Sequence, residues 1–140
     1  MVNKRSLVVV VKGVILNNGR ILLVQRAMDD PIGAGNWESA GGKLEHGEEL
    51  EAAITREIME ETGLEVEVGT LLYATTMMTE PGRQVVFLNY ICRTGNSEVY
   101  LSSEHMDFRW CTQNQARALL NPQIIAEFEK YNIFGMEGWV

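Results

Sequence analysis

Apolar and polar positions along the chain mark out most of its elements. Ser6 to Leu16 is dense in Val and Ile and predicts a strand. Asn17-Asn18-Gly19 is a turn signal, and Arg20 to Gln25 (RILLVQ) predicts the partner strand of a hairpin. Asp29 to Asn36 carries Pro31, Gly33 and Gly35 and predicts loop, followed by a short extended piece, Trp37 to Ala40, ahead of Gly41-Gly42. Strong helix formers without Gly or Pro run from about Glu49 to Thr62, with a stop signal at Gly63. Leu64 to Met78 predicts one or two strands, Pro81-Gly82 a turn, and Gln84 to Arg93 another strand. Thr94 to Met106 is polar and predicts loop, then Phe108 to Cys111 a short strand. Thr112 is suited to cap a helix to Leu120, and Asn121-Pro122 to start a last one reaching about Tyr131.

Strands and helices mix without a regular βαβ alternation, so the expected class is α+β, or an α/β/α sandwich on a mixed sheet. With 140 residues, 46% of them hydrophobic, the chain is expected to form a single domain over 1–140 with a sizeable core. Cys92 and Cys111 lack metal-ligand spacing and are expected to be reduced structural thiols. No apolar run approaches the roughly 20 residues of a membrane span. Met1 to Arg5 holds two basic residues but no apolar leader core follows, so a cytoplasmic location is expected. The net charge of -7 argues against a nucleic-acid polymer as partner, which would need clustered Lys and Arg. It does not argue against a phosphate substrate, because divalent cations can lie between two anions.

The helix around residues 49–62 carries the candidate chemistry. At about 100° per residue, Leu50, Ile54 and Ile58 form one stripe that should pack on the sheet. Glu57, Glu60 and Glu61 are three and four residues apart and cluster on one side. Glu61 falls inside the apolar arc, and Glu57 lies at its border. A carboxylate drawn toward a packed face needs a positive partner. Arg56 is expected to point away at a different angle, unable to compensate three glutamates. A divalent metal would serve, and all-oxygen ligation suits Mg²⁺ or Mn²⁺ over Zn²⁺. The alternative is an acidic, solvated helix face. Gly41-Gly42, read as a turn before the loop Lys43 to Gly47, favours the metal, since glycines bring backbone groups close to an ion or phosphate.

Gly42 to Leu64 reads GKLEHGEELEAAITREIMEETGL. This segment resembles the Nudix box, G-x5-E-x7-R-E-U-x-E-E-x-G-U with U a bulky aliphatic. Gly42, Glu48, Arg56, Glu57, Ile58, Glu60, Glu61, Gly63 and Leu64 fill every defined position. The flanks VVKGVILNNGRILLVQRA, GNWESAGG and EHMDFRW resemble the rest of a small Nudix domain, so the likeness covers nearly the whole chain. It implies a Nudix-type α/β/α sandwich and hydrolysis of a nucleoside diphosphate linked to some group X. It further implies Glu57, Glu60, Glu61 and the Gly41 carbonyl as metal ligands, with Glu57 in some members acting as general base. Glu48 and Arg56 would orient the carboxylates. One departure is Ser39-Ala40, where many relatives carry Leu-Pro or Phe-Pro before the double glycine.

Relatives often take a further ligand or base from the loop before the last strand, where Glu104 is the candidate. Arg26 is a candidate for a substrate phosphate, against an exposed strand-end charge, and Trp37 for the base pocket, against core packing. His46 and His105 read as solvated loop residues. Phe108 and Trp110 read as core, Met77 and Met78 as core or pocket lining, and Phe134 and Trp139 as packing within the domain or across a homodimer interface. The expected partner is a small-molecule nucleotide. The first reading is a nucleoside triphosphate, oxidised forms included, cut to monophosphate and pyrophosphate. The second is ADP-ribose or a sugar nucleotide, with Pro81 in the relevant neighbourhood. The third is a non-catalytic nucleotide sensor, which the intact box disfavours.

Overall fold

A computed structural model describes residues 4–140. The reading of Met1 to Arg5 rests partly on residues 1–3, outside that range. The β-branched run forms β1 (Ser6–Asn17), and β2 (Arg20–Arg26) follows it. Asn18 and Gly19 turn the chain with φ of 51° and 78°, the pair of left-handed positions that an Asn-Gly hairpin turn requires. The two strands then part after pairing Leu16 with Ile21 and Asn17 with Arg20. The fork is filled by one short segment that changes partner at Ser39. Its first half, β3 (Trp37–Glu38), pairs with β2, and its second, β4 (Ala40–Lys43), pairs with β1. Gly41 and Gly42 are therefore strand residues, opposite Lys12 and Val11, and not the turn expected before the loop. Without side chains of their own, they let a functional helix approach β1 across them.

β5 (Glu67–Glu80) and β6 (Arg83–Arg93) form a second hairpin about Pro81-Gly82, and β6 runs parallel to β1 along its length. β7 (His105–Cys111) lies antiparallel on the far side of β2 and starts three residues earlier than the Phe108 expected. The result is a mixed seven-stranded sheet. Strand alternation splits its side chains between two cores. Val11, Ile15, Leu22, Val24 and Cys92 meet Ala53, Ile54 and Ile58 of α1 (Leu50–Thr62). Val14, Leu16, Ile21, Leu23 and Ile91 meet α2 (Gln113–Leu119), α3 (Pro122–Lys130) and the C-terminal segment. This is the expected α+β class, built as an α/β/α sandwich.

The caps are those the sequence suggests. Gly63 ends α1 in the left-handed conformation, φ 73°, its N–H donating to the Met59 carbonyl. Thr112 and Gln115 form a reciprocal capping box on α2, and Asn121 caps α3 ahead of Pro122. The packed stripe of α1 is shorter than expected: Leu50, in the first turn, is exposed, and burial begins at Ala53. Phe134 and Trp139 are buried and stack on each other at 5.5 Å within the α3 layer. Met77 borders a cleft, whereas Met78 is exposed. Phe108 and Trp110 are partly buried against the α1 core. Both cysteines are buried and unpaired, and burial pushes the Cys92 thiol up to about 12, so it stays protonated and unreactive. Among the described residues no helix is long and apolar enough to cross a membrane.

Candidate active site

Helical spacing brings Glu57, Glu60 and Glu61 together, but packing grades them. Glu61 sits one turn beyond Ile58 on the buried face and is 5% exposed. Glu57 is half-buried at the border, and Glu60 stands in solvent. Arg56 does not point away as its wheel angle suggested. Its guanidinium grips Glu48 with two bonds of 2.7 Å, reaches Glu57 at 2.8 Å and Glu60 at 3.3 Å, and donates to the Lys43 carbonyl. A wheel locates the Cα, whereas the long side chain with five donors can fold back over its own helix. The Arg56 hydrogen bonds hold the Glu48 carboxyl down at about 2, and Glu48 also accepts from the Glu45 N–H.

Arg56 does not reach Glu61. There the Gly41 N–H donates to Glu61 Oε1 at 2.9 Å. The glycine pair is essential to this approach. A Cβ on Gly41 would strike the Val11 carbonyl of the neighbouring strand, and one on Gly42 would strike the Glu57 carboxylate. Glu104, from the loop before β7, comes to Glu61 from the other side. One oxygen of each carboxylate and a ring nitrogen of His105 lie within 4.8 Å of one another. Burial, and then the Glu104 carboxyl, push Glu61 up to about 8. Glu57 is also raised by burial, against the opposing pull of Arg56.

Behind these carboxylates lies a network that the sequence reading missed. Glu38 accepts from Lys12 Nζ at 3.0 Å and from Arg26 at 3.0 and 3.2 Å, and lies 2.9 Å from His105 Nε2. Burial pushes the Glu38 carboxyl up, yet Lys12, His105 and Arg26 together hold it well below the ordinary carboxylate range. Lys12 was the available signal: a lysine inside the run VVVVKGVI needs a buried acid. His105 is buried, not solvated, because it opens β7 opposite Arg26, where the β2–β7 register shifts. His46 is exposed in the loop.

Arg26 borders the cleft, but its guanidinium is shared between Glu38 and Asp30, the latter at 2.9 Å. Trp37 is buried, with the Arg109 guanidinium 5.7 Å from its ring centre, and its rim lines the same cleft. This cleft, of about 720 Å³, extends from Glu57 and Glu61 to α3, past Tyr73, Asn89 and Phe128. Tyr73 donates to Glu127 Oε1 at 3.2 Å and stacks on Tyr131 at 4.8 Å. The site thus joins a partly apolar cleft to a carboxylate pair, Glu61 and Glu104, that forms no ion pair among the described residues. That donor set fits a hard divalent cation.

The NUDIX domain model matches residues 6–131. The chain is 30% identical over 116 residues to nucleoside triphosphatase NudI of Enterobacter sp. (strain 638), covering 76% of this chain and 82% of the relative. It is 34% identical over 112 residues to the CTP pyrophosphohydrolase of Escherichia coli (strain K12), covering 79% and 80%. In fold it resembles the MutT protein from Methanosarcina mazei Go1, with a TM-score of 0.84 over 98% of this chain and all of that one, at 24% identity.

Proposed function

The chain belongs to the NUDIX domain family, and from that premise we propose that it hydrolyses a nucleoside triphosphate to the monophosphate and pyrophosphate. The observation that carries this reading is the carboxylate pair Glu61 and Glu104, uncompensated by any ion pair among the described residues, at the mouth of a nucleotide-sized cleft. Relatives described as a nucleoside triphosphatase and a CTP pyrophosphohydrolase support the triphosphate over other diphosphate compounds. The sugar-nucleotide reading leaned on Pro81, which lies in the β5–β6 turn and does not line the cleft. The intact box leaves the sensor reading without support.

Glu57, Glu60 and Glu61, with the Gly41 carbonyl, would hold the divalent cation, Mg²⁺ or Mn²⁺. When bound, it neutralises charge on the diphosphate oxygens and lowers the pKa of a coordinated water. The protein's own groups set the geometry. Arg56, braced by Glu48, fixes the rotamers of Glu57 and Glu60. The Gly41 N–H aims one Glu61 oxygen. In the alternative to a ligand role, Glu57, which burial makes more basic than an ordinary carboxylate, would take the proton from the attacking water. The cleft beyond, walled by Tyr73, Met77 and Phe128, receives the nucleoside and excludes water from the reacting end.

The test is a screen with Mg²⁺ of nucleoside triphosphates, ADP-ribose, sugar nucleotides and dinucleoside polyphosphates, with products separated by chromatography. Pyrophosphate and a nucleoside monophosphate are the expected products. Two phosphate monoesters from ADP-ribose, with triphosphates untouched, would overturn the substrate assignment.

A further inference from the structure

His105 is one of two histidines in the chain, and its side chain is 3% exposed. Its Nε2 lies 2.9 Å from Glu38 Oε2. Glu38 is itself ion-paired with Lys12 and Arg26, each at 3.0 Å, so it is an acceptor only. The hydrogen of a neutral imidazole therefore resides on Nε2, and its lone pair on Nδ1. Nδ1 is buried and has no hydrogen-bond partner among the described residues. An unmet buried acceptor is uncommon in folded proteins and marks a place where something else binds.

A ring nitrogen of His105 lies within 4.8 Å of one oxygen of Glu61 and one of Glu104. With Nε2 committed to Glu38, the nitrogen free to act there is Nδ1. We propose that His105 supplies Nδ1 to a divalent cation held jointly by Glu61 and Glu104, so that the inner end of the site is a mixed nitrogen–oxygen centre. The proposal rests on reading the chain as a cation-dependent hydrolase. It gives the buried network a purpose: Lys12 and Arg26 hold Glu38, and Glu38 orients the imidazole and strengthens it as a ligand, as carboxylates do behind metal-bound histidines. It also predicts a metal preference. An imidazole ligand favours Mn²⁺ and Co²⁺ over Mg²⁺, which bare carboxylates would accept.

Pulsed EPR on the whole protein loaded with Mn²⁺ tests this directly. The expected result is ¹⁴N modulation at the bound ion, converted to ¹⁵N coupling when the protein is made with ¹⁵N-histidine. That measurement needs no substitution. The signal persists in His46→Gln and vanishes in His105→Asn, where Mn²⁺ affinity falls at least about tenfold and Mg²⁺ affinity falls less. Mn²⁺ bound and triphosphate cleaved, with no histidine nitrogen coupled, overturns the proposal alone and leaves the imidazole as a hydrogen-bond partner of the carboxylates. No Mn²⁺ uptake with or without nucleotide overturns both the proposal and the hydrolase reading.

Discussion

Helix α1 carries carboxylates in two different electrostatic settings. On its outer side Glu48, Glu57 and Glu60 surround Arg56, and one guanidinium satisfies all three. On its inner side Glu61 is buried, faces Glu104, accepts from the Gly41 N–H, and forms no ion pair among the described residues. The outer group is compensated within the helix and the turn before it, so it is preorganised. The inner group is not, and its carboxyl rises accordingly. Identical side chains thus divide into carboxylates already braced by an arginine and one, Glu61, whose charge a proton or an ion from outside must balance. Burial and the reach of one arginine make the division.

The sharpest way to break this contrast is Glu61→Gln. Removing the inner carboxylate should lower kcat on the order of 10³-fold, while the metal-free protein stays about as stable at neutral pH, because the buried Glu61 carboxyl is already protonated there and Gln is its neutral isostere. Steady-state kinetics paired with thermal melts in EDTA would read both. A variant that loses stability and activity together would mean Glu61 is structural.

Arg56→Gln attacks the other side and should show the reverse balance. Three carboxylates lose their partner, so metal affinity should fall roughly 10- to 100-fold. Stability should fall only slightly, since the pairs are largely solvated and screened. Titration calorimetry with Mn²⁺ and denaturant melts separate the two effects. Lysine at position 56 should not rescue, because it cannot make the two-point contact with Glu48.

The last effect is a pH dependence centred on the inner group. The Glu61 carboxyl titrates near 8 in the fold, against about 4.5 for an ordinary glutamate, so between these values the folded chain binds more protons than the unfolded one. Stability of the metal-free protein should therefore fall as pH rises from about 5 to 8 and level off above it. A fall in Tm across this range is expected in EDTA. Saturating Mg²⁺ replaces the proton and should flatten the curve. Parallel curves with and without Mg²⁺ would contradict the assignment of Glu61 as the uncompensated group.

Much of this was legible in the linear sequence. The hairpin at Asn18-Gly19, the stop at Gly63 and the capped starts at Thr112 and Asn121 depend on neighbours within a few residues. The three-and-four spacing of Glu57, Glu60 and Glu61, and the placement of Glu61 within the apolar arc, follow from helix geometry alone. What was misread needed distance. Gly41-Gly42 became strand only because β1 and β2 part and leave an edge for β4 to pair with. His105 became buried because β7 begins early, and Arg56 found Glu48 eight residues back because its long side chain folds back along the first turns of α1 to a residue that precedes the helix.

The sequence by itself determined the helix, its acidic face, its boundaries and the family pattern, because those are properties of local backbone geometry and spacing. Tertiary structure alone decided which carboxylate is compensated, that Lys12, Glu38, Arg26 and His105 form one network, and that Glu104 meets Glu61. Charge compensation acts through space over a few ångströms, and residues 26 and 67 positions apart, as Lys12 and His105 are from Glu38, come within that range only once the sheet has formed.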